Sequence, residues 1–144
     1  MLKGIDPLLS PDLLSHLRAM GHGDTIGVVD ANFPAAATAR RLVRLDGHDA
    51  VRVLDAVLSV LPLDDFGDAC ATRMEVVGDP HAHLAVFDDF LAVLDRHVDG
   101  HVTSLGALER HAFYEAARAA YVIVATGETR LYGNILLRKG VIRA

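Results

Sequence analysis

The stretch Thr25-Ile26-Gly27-Val28-Val29-Asp30 decides the fold of this chain. It is a short run rich in β-branched residues, and such a run is typical of a strand that is buried on both faces of a sheet. Strands of this kind occur where helices cover both sides of a largely parallel sheet. Pro34 follows shortly after, and proline lacks the N–H donor that a strand ladder requires, so we predict that this strand ends at Asp30.

Similar short apolar runs recur along the chain, and segments of helical periodicity separate them. The further candidate strands are 42–45, 74–77, 102–105, 121–126 and 132–137. The candidate helices are 11–20, 49–61, 84–98 and 109–120. Helical connections of about ten or more residues between strands indicate parallel crossovers. We therefore predict a single three-layer α/β/α domain with a mostly parallel sheet, spanning residues 1–144.

The composition excludes several classes of protein. Of the 144 residues, 51% are hydrophobic and 23% are charged, which supplies a core and argues against disorder. The net charge of -5 offers no surface for gripping a phosphate backbone, so we expect no nucleic acid partner. No apolar stretch approaches the roughly 20 residues that cross a bilayer, and the first residues do not read as a signal peptide. We expect a soluble, cytoplasmic protein with no membrane partner, and its single cysteine cannot form an internal disulfide.

Asp30 is the first candidate site residue. Ligands of open α/β sheets bind just past the carboxyl ends of the strands, and Asp30 directly follows a buried strand. Its carboxylate would accept a hydrogen bond from a ligand hydroxyl at this rim. The alternative is structural, because Asp30 could instead cap the segment that starts at Pro34 or close an Asx turn in its own loop.

His22 is the second candidate, since it lies between two glycines in Gly21-His22-Gly23-Asp24. Flanking glycines leave the backbone open and the imidazole free to face a cleft. Histidine is the natural side chain for moving protons near neutral pH. This Gly-x-Gly is not a dinucleotide fingerprint, because it precedes a strand and lacks the third glycine. With eight histidines in the chain, a structural interpretation of His22 stays open at this point.

Several polar residues near the end of the chain suggest an uncharged ligand. Arg110, Tyr132 and Asn134 offer directional hydrogen bonds of the kind that a small polyol or sugar requires. Each also has a structural interpretation, and Gly133 between the last two can simply mark a bulge. His81 and His83 suggest a metal pair, but the structural interpretation is favoured, because residues two apart at a helix start point in different directions and no further Cys or His motif completes a zinc site.

Taken together, these motifs resemble the fucose mutarotase and ribose pyranase family, and specifically its fucose mutarotase branch. The matching segments are Leu2-Lys3-Gly4-Ile5-Asp6-Pro7-Leu8, Gly21-His22-Gly23-Asp24, Asp30-Ala31-Asn32-Phe33-Pro34, Arg110, Ala112-Phe113-Tyr114-Glu115, Thr126-Gly127-Glu128 and Tyr132-Gly133-Asn134-Ile135-Leu136-Leu137. Gly23 and the segment 32–34 favour the fucose branch, since ribose pyranases usually carry other residues there.

The resemblance implies a role for each candidate. His22 would be the proton donor, while Asp30, Arg110 and the segment Tyr132-Gly133-Asn134 would bind the sugar. Tyr114 lies in a matched segment, but packing explains its ring equally well, so we do not assign it to the site. Members of the family are similar in forming ring-shaped homo-oligomers, often decamers, with sites between neighbouring subunits. No metal and no cofactor are implied.

The expected activity is the interconversion of the α and β anomers of L-fucose by general acid and base catalysis, which opens the ring and recloses it. Three alternatives stay open from the sequence. The protein could be a D-ribose pyranase, a monosaccharide-binding accessory without catalysis, or a metal-dependent sugar isomerase that uses His81 and His83. The preferred sugar is not fixed by the sequence, because one side chain at the pocket rim can decide it.

Overall fold

The computed structural model of the chain describes residues 1–67, 69–98 and 105–144. In chain order its elements are α1 (Pro11–Ala19), β1 (Thr25–Val29), α2 (Ala35–Thr38), β2 (Leu42–Leu45), α3 (Ala50–Leu58), β3 (Ala71–Met74), α4 (Ala85–His97), β4 (Gly106–Leu108), α5 (Arg110–Ala119), β5 (Val122–Thr126) and β6 (Ile135–Arg138). No helix within these ranges combines the length and the apolar character that crossing a membrane requires.

The strands form one sheet in the order β2-β5-β1-β6-β3-β4. Strand β5 pairs in parallel with both β2 and β1, and β3 pairs in parallel with β4. Strand β6 is antiparallel to both of its neighbours, β1 and β3. The prediction of a mostly parallel sheet is therefore confirmed, with β6 as the reversed strand.

Helices cover both faces of this sheet, because alternate residues of its central strands enter two different apolar cores. Ile26 and Val28 of β1 belong to one core together with residues of α1, α3 and α4. Val29 belongs to the other, which includes Phe33 and Phe113 of α5. The same alternation holds along β5 and β6. This arrangement confirms the three-layer architecture.

Two strand predictions differ from the structure, and a third lies almost entirely outside the described residues. The third strand is 71–74 rather than 74–77, because Val76 instead forms an isolated bridge with Asp79 around Gly78, whose φ is +79°. Strand β6 starts at Ile135 because Tyr132 has a φ of 62° and cannot be extended. Of the predicted strand 102–105, only Leu105 lies within the described residues, and the short strand β4 that follows it was not predicted.

Because strand β6 is antiparallel to β1, each end of β1 lies beside a different part of the chain. Its first residue, Ile135, pairs with Val28, so the segment before β6 lies at the carboxyl end of β1. Its last residue, Arg138, pairs with Thr25, so the end of β6 lies at the start of β1. The Gly23 N–H continues this contact and donates to the Lys139 carbonyl oxygen at 2.9 Å. Two separate groups of polar residues therefore meet β1, one at each end.

Candidate functional site

A cavity of about 240 Å³ opens at the carboxyl end of β1. Four of the sequence-predicted residues line it, namely Asp30, Arg110, Tyr132 and Asn134. Pockets for drug-sized ligands measure about 300–1,000 Å³, so this cavity suits a smaller molecule. The position agrees with the rule that ligands of open α/β sheets bind beyond the carboxyl ends of the strands.

Asp30 and Asn134 form the buried floor of this cavity. The Asp30 N–H donates to Oδ1 of Asn134 at 2.9 Å, and Nδ2 of Asn134 donates to Oδ2 of Asp30 at 2.8 Å. The other carboxylate oxygen, Oδ1, accepts from the Asn32 N–H at 2.9 Å. A carboxylate offers about four acceptor sites, so the Asp30 side chain keeps acceptor capacity for a ligand hydroxyl.

Burial raises the pKa of the Asp30 carboxyl above its ordinary value of 3.8. Hydrogen bonds from Asn32 and Asn134 oppose this rise, while the negative charge of Glu128 adds to it. Since the ionised form is less favoured here than in water, Asp30 is a stronger proton acceptor than an exposed aspartate. Such a carboxylate can bind a hydroxyl strongly or accept its proton.

Arg110 is the first residue of α5, and the cap of that helix fixes its place. The Glu109 side chain accepts hydrogen bonds from the backbone N–H groups of His111 and Ala112, at 2.8 and 3.3 Å. The guanidinium carbon of Arg110 lies 5.6 Å from the centre of the Tyr114 ring, within cation–π range. Arg110 thus offers a permanent positive charge and several donors on the open side of the cavity.

The segment 132–134 reaches the cavity through an unusual backbone. Tyr132 has a φ of 62°, in the left-handed region, and its hydroxyl accepts from the Val77 N–H at 3.1 Å. Gly133 is buried and does not line the cavity. A Cβ at position 133 would lie 2.6 Å from Cγ of Glu128, so only glycine fits. Gly133 therefore allows this segment to pack closely on Glu128, while its neighbours Tyr132 and Asn134 line the cavity.

His22 does not line this cavity. It lies in the turn before β1, whereas Asp30 follows the end of β1, and the five residues of that strand span about 13 Å. The His22 Nε2 atom lies 3.1 Å from Oδ1 of Asp64, and the imidazole and Phe66 ring centres are 5.6 Å apart. The side chain is 46% exposed, so the imidazole faces outward. Within one chain, the predicted proton donor and the predicted sugar-binding residues are separate.

Asp64 is the buried partner of His22, and the sequence analysis did not single it out. Its Oδ2 lies 2.7 Å from Nε of Arg138, and its Oδ1 accepts from the Phe66 N–H at 3.1 Å. Burial alone would raise the pKa of Asp64, but the Phe66 N–H, His22 and the charge of Arg138 hold it below 3.8. A carboxylate against one ring nitrogen fixes the imidazole tautomer and orientation, and leaves the other nitrogen for a substrate.

Comparison with known proteins identifies the family. The model of the RbsD / FucU transport protein family matches residues 3–142. The chain belongs to this family. It is similar to the fucose mutarotase of Homo sapiens, with 45% identity covering 98% of this chain and 94% of that protein. It is also similar to the L-fucose mutarotase of Glaesserella parasuis, with 40% identity covering 98% of this chain and 96% of that protein.

A solved structure extends the likeness to three dimensions. The crystal structure of the Streptococcus pneumoniae fucose mutarotase in complex with L-fucose matches with a TM-score of 0.91 and 40% identity, covering 99% of this chain and 100% of that one. The resemblance inferred from the sequence motifs is therefore confirmed at the level of the RbsD / FucU family and its fold.

The two places that favour the fucose branch of the family have clear structural settings. Gly23 has a φ of +85°, a conformation that side chains with a Cβ rarely adopt. Asn32 and Phe33 both line the cavity beside Asp30. Gly23 thus shapes the turn that carries His22, and Asn32 and Phe33 form part of the cavity wall.

Sequence reasoning missed part of the cavity lining. Besides the four predicted residues, the cavity is lined by Asn32, Phe33, Met74, Val77, Leu131 and Tyr114. Asn32 and Phe33 lay in a matched motif, and Tyr114 was set aside in favour of packing, so these three had a signal. Met74 and Val77 had none, because the segment that carries them was assigned to a strand.

His81 and His83 do not line the cavity. The His83 Nε2 atom lies 2.7 Å from Oδ2 of Asp88, in an exposed pair. Among residues 1–67, 69–98 and 105–144, no group of three or more His, Cys, Asp or Glu side chains is arranged to hold a metal ion.

Proposed function

We propose that the protein is an L-fucose mutarotase, an isomerase that interconverts the α and β anomers of the sugar. One observation carries the proposal: four polar side chains from three separate segments of the sequence line a single cavity of monosaccharide size. The relatives named fucose mutarotase support the same activity. We further propose that residues 1–144 act as one sugar mutarotase-like domain.

The reaction needs two proton transfers and no cofactor. The hydroxyl on the anomeric carbon loses its proton, the bond between that carbon and the ring oxygen breaks, and the ring oxygen gains a proton. The resulting aldehyde rotates and recloses on its other face. Positioned acid and base groups each contribute roughly 10²- to 10⁴-fold to such steps. We assign sugar binding to Asp30, Arg110 and the segment Tyr132-Gly133-Asn134, in which Tyr132 and Asn134 line the cavity, and proton donation to His22.

The separation of His22 from the cavity leads to a proposal about assembly. If His22 delivers the proton, a His22 from a second copy of the chain must reach the cavity of the first. Apolar side chains support such a contact at both places. Val77 and Leu131 at the cavity are 60% and 65% exposed, and Phe66 beside His22 is 58% exposed. Contiguous exposed apolar surface marks interaction sites, and we propose that these side chains contribute to one.

Because the two surfaces differ, the contact between copies is head-to-tail, and a head-to-tail contact that closes makes a ring. We therefore propose a ring-shaped homo-oligomer, a decamer as the family resemblance implies, with each site shared by neighbouring subunits. In that site Asp64 of the His22 copy orients the imidazole, and the Phe66 N–H, His22 itself and the charge of Arg138 keep Asp64 ionised. A single unpaired cysteine suits the reducing cytoplasm, where we propose that the enzyme acts.

Saturation-transfer NMR tests the activity directly. Saturating one anomer of L-fucose should reduce the signal of the other much more strongly when the protein is present. D-ribose serves as the second sugar, and faster pyranose–furanose exchange of ribose alone would identify a ribose pyranase instead. Sugar-induced chemical shifts without faster exchange would identify a binding protein, and loss of activity with a chelator would identify a metal-dependent isomerase. Either result would overturn the proposal.

A further inference from the structure

The loop between β5 and β6 carries Tyr132, Gly133 and Asn134, and it contains a buried carboxylate that the proposed reaction does not use. Glu128 is only 3% exposed and does not line the cavity. A buried acid is costly unless its charge is paired and hydrogen-bonded. Its contacts therefore show what holds this loop in place.

Arg130 pairs with Glu128 through three hydrogen bonds. Oε1 of Glu128 accepts from the backbone N–H of Arg130 at 3.0 Å and from its Nε at 2.9 Å. Oε2 of Glu128 accepts from Nη2 of Arg130 at 2.9 Å. The hydrogen bonds from Arg130 lower the pKa of Glu128 although burial opposes this, so the carboxylate stays ionised. Bidentate pairing of this type also fixes geometry, because two parallel donors meet one planar acceptor.

Arg130 has a second anionic partner on a helix. Its Nη1 donates to Oδ2 of Asp89 at 2.7 Å, and Asp89 lies on α4. Glu128, Arg130 and Asp89 thus form a chain of charges from the interior of the loop to an element that the core holds rigid. We call these three residues the loop clamp.

Glu128 of the loop clamp packs against the two segments that carry the proposed sugar-binding residues. The Cγ atom of Glu128 packs so closely on Gly133 that a Cβ there would lie 2.6 Å away, and Cβ of Asp30 would lie 3.5 Å from the same point. The Glu128 carbonyl oxygen also accepts from the Ala31 N–H at 2.9 Å. Glu128 is therefore in contact with both chain segments that supply the cavity floor.

We infer that Glu128 is a positioning residue for sugar binding, which holds the segment 132–134 against the Asp30 loop while Arg130 and Asp89 anchor it to α4. This inference rests on the mutarotase activity proposed above. Glu128 touches no substrate, so its loss should displace the groups that bind the sugar more than those that move protons.

Glu128→Gln tests the inference because it keeps the shape of the side chain and removes its charge. One carboxylate oxygen becomes an amide that faces the donors of Arg130, so the clamp opens. We expect the KM for L-fucose to rise about tenfold while kcat falls by less than about threefold, the pattern of lost binding. Glu115→Gln is the matched control: Glu115 pairs with Arg118 on the exposed face of α5, and both kinetic constants should stay unchanged.

Asp89→Asn is the second variant, and it covers the case in which a buried glutamine prevents folding. Asp89 is 48% exposed, so the variant should fold, and it removes only the outer anchor of Arg130. We expect KM to rise about two- to threefold with kcat unchanged. Its control is Asp88→Asn, which removes the neighbouring charge that pairs with His83 rather than with Arg130.

The outcomes separate the inference from the proposed function. A wild-type protein that does not accelerate L-fucose exchange overturns both. An active wild type, with unchanged KM in a folded Glu128→Gln variant, overturns the inference alone. So does a fall in kcat without a change in KM, since it would place Glu128 in proton transfer. If Glu128→Gln does not fold, the KM of Asp89→Asn decides, and a value equal to that of Asp88→Asn overturns the inference.

Discussion

Asp30 and Asn134 lie 104 residues apart in the sequence and are hydrogen-bonded to each other twice. The backbone N–H of Asp30 donates to the Asn134 side chain, and that side chain donates back to the Asp30 carboxylate. The pair joins the end of β1 to the residue before β6, and these two strands are antiparallel neighbours in the sheet. It therefore serves the fold and the proposed sugar site at the same time.

Asn134→Ala should weaken both stability and activity. The substitution leaves a buried N–H and one oxygen of a buried carboxylate without their partner, which costs about 1–3 kcal/mol of the free energy of unfolding. It also removes a proposed sugar ligand, so turnover of L-fucose should be largely lost. Urea unfolding measures the first effect, and anomeric exchange measures the second.

Asn32→Ala is the control for this variant. Asn32 also lines the cavity, but its contact with Asp30 is made by its backbone N–H, which alanine keeps. The unfolding free energy should therefore change little. Equal destabilisation by both variants would show that the Asp30–Asn134 pair has no special role in stability.

Gly133→Ala should destabilise the protein through a steric clash. The new Cβ would lie 2.6 Å from Cγ of Glu128 and 3.2 Å from the Arg130 carbonyl oxygen. Overpacking of this kind costs about 1–3 kcal/mol and should displace Asn134 from Asp30, so sugar binding should weaken as well. Gly47→Ala is the comparison, because no atom lies within 4 Å of a Cβ at that exposed turn. Thermal unfolding of the two variants checks the prediction, which a normal melting temperature for Gly133→Ala would contradict.

His22→Ala should abolish most activity and leave the fold intact. The side chain is half exposed and packs mainly against Asp64 and Phe66, so little core packing is lost. Loss of a general acid should lower kcat by roughly 10²- to 10⁴-fold. His83→Ala removes the histidine of an exposed His–Asp pair at the start of α4 and should keep full activity. Full turnover by His22→Ala would show that another group supplies the proton.

The carboxylates at the two ends of β1 should respond to pH in opposite directions. The folded-state pKa of Asp64 lies below 3.8, so its stabilising contribution is present above that pH and is lost as the pH falls through the folded-state value. The folded-state pKa of Asp30 lies above 3.8, so its contribution is present below that pH and is lost as the pH rises through the folded-state value.

Two variants make this opposition measurable. The free energy of unfolding of wild type minus that of Asp64→Asn should shrink as the pH falls below about 4. The corresponding difference for Asp30→Asn should shrink as the pH rises above about 4. Urea unfolding at a series of pH values gives both slopes. Slopes of the same sign would contradict the opposite pKa shifts of the two residues.

Local sequence patterns predicted those elements whose own residues carry the signal. Strands β1 and β2 have the predicted bounds because each is a compact run of mostly apolar or β-branched residues. Strand β3 was misplaced by three residues, since Thr72 and Arg73 give it no apolar pattern while Val76 and Val77 lie just outside it. The reversed direction of β6 depends on pairing with β1 and β3, which no local pattern specifies.

The features of the candidate site also divide into those that the local sequence predicted and those that only the folded chain shows. Asp30 was predicted from its position after a buried strand, and the segment 132–134 from its hydrogen-bonding groups. The pairing of His22 with Asp64 depends on two turns that only the folded chain brings together, so periodicity and spacing could not reveal it. The sequence already placed His22 before the first strand and Asp30 after it, but it could not show that the cavity opens at the Asp30 end without His22.

Mixed oligomers test whether neighbouring copies share each site. A His22→Ala copy lacks the proton donor but keeps Asp30, and an Asp30→Asn copy keeps the donor. Neither variant alone should be active. In a head-to-tail ring mixed at random, about a quarter of the sites would combine the intact His22 of one copy with the intact Asp30 of its neighbour. We therefore expect co-expression of the two variants to restore about a quarter of wild-type exchange activity, measured on purified mixed oligomers.

Mixing His22→Ala with Asp64→Asn is the control. Both residues lie in the same cluster of one copy, so every shared site would receive one defect or the other. Activity should stay at the level of the separate variants in this mixture. Recovery in the first mixture alone would show that the proton donor and the sugar-binding residues act between copies. Absence of recovery in mixed oligomers confirmed by native mass spectrometry would mean that His22 does not serve a neighbouring cavity.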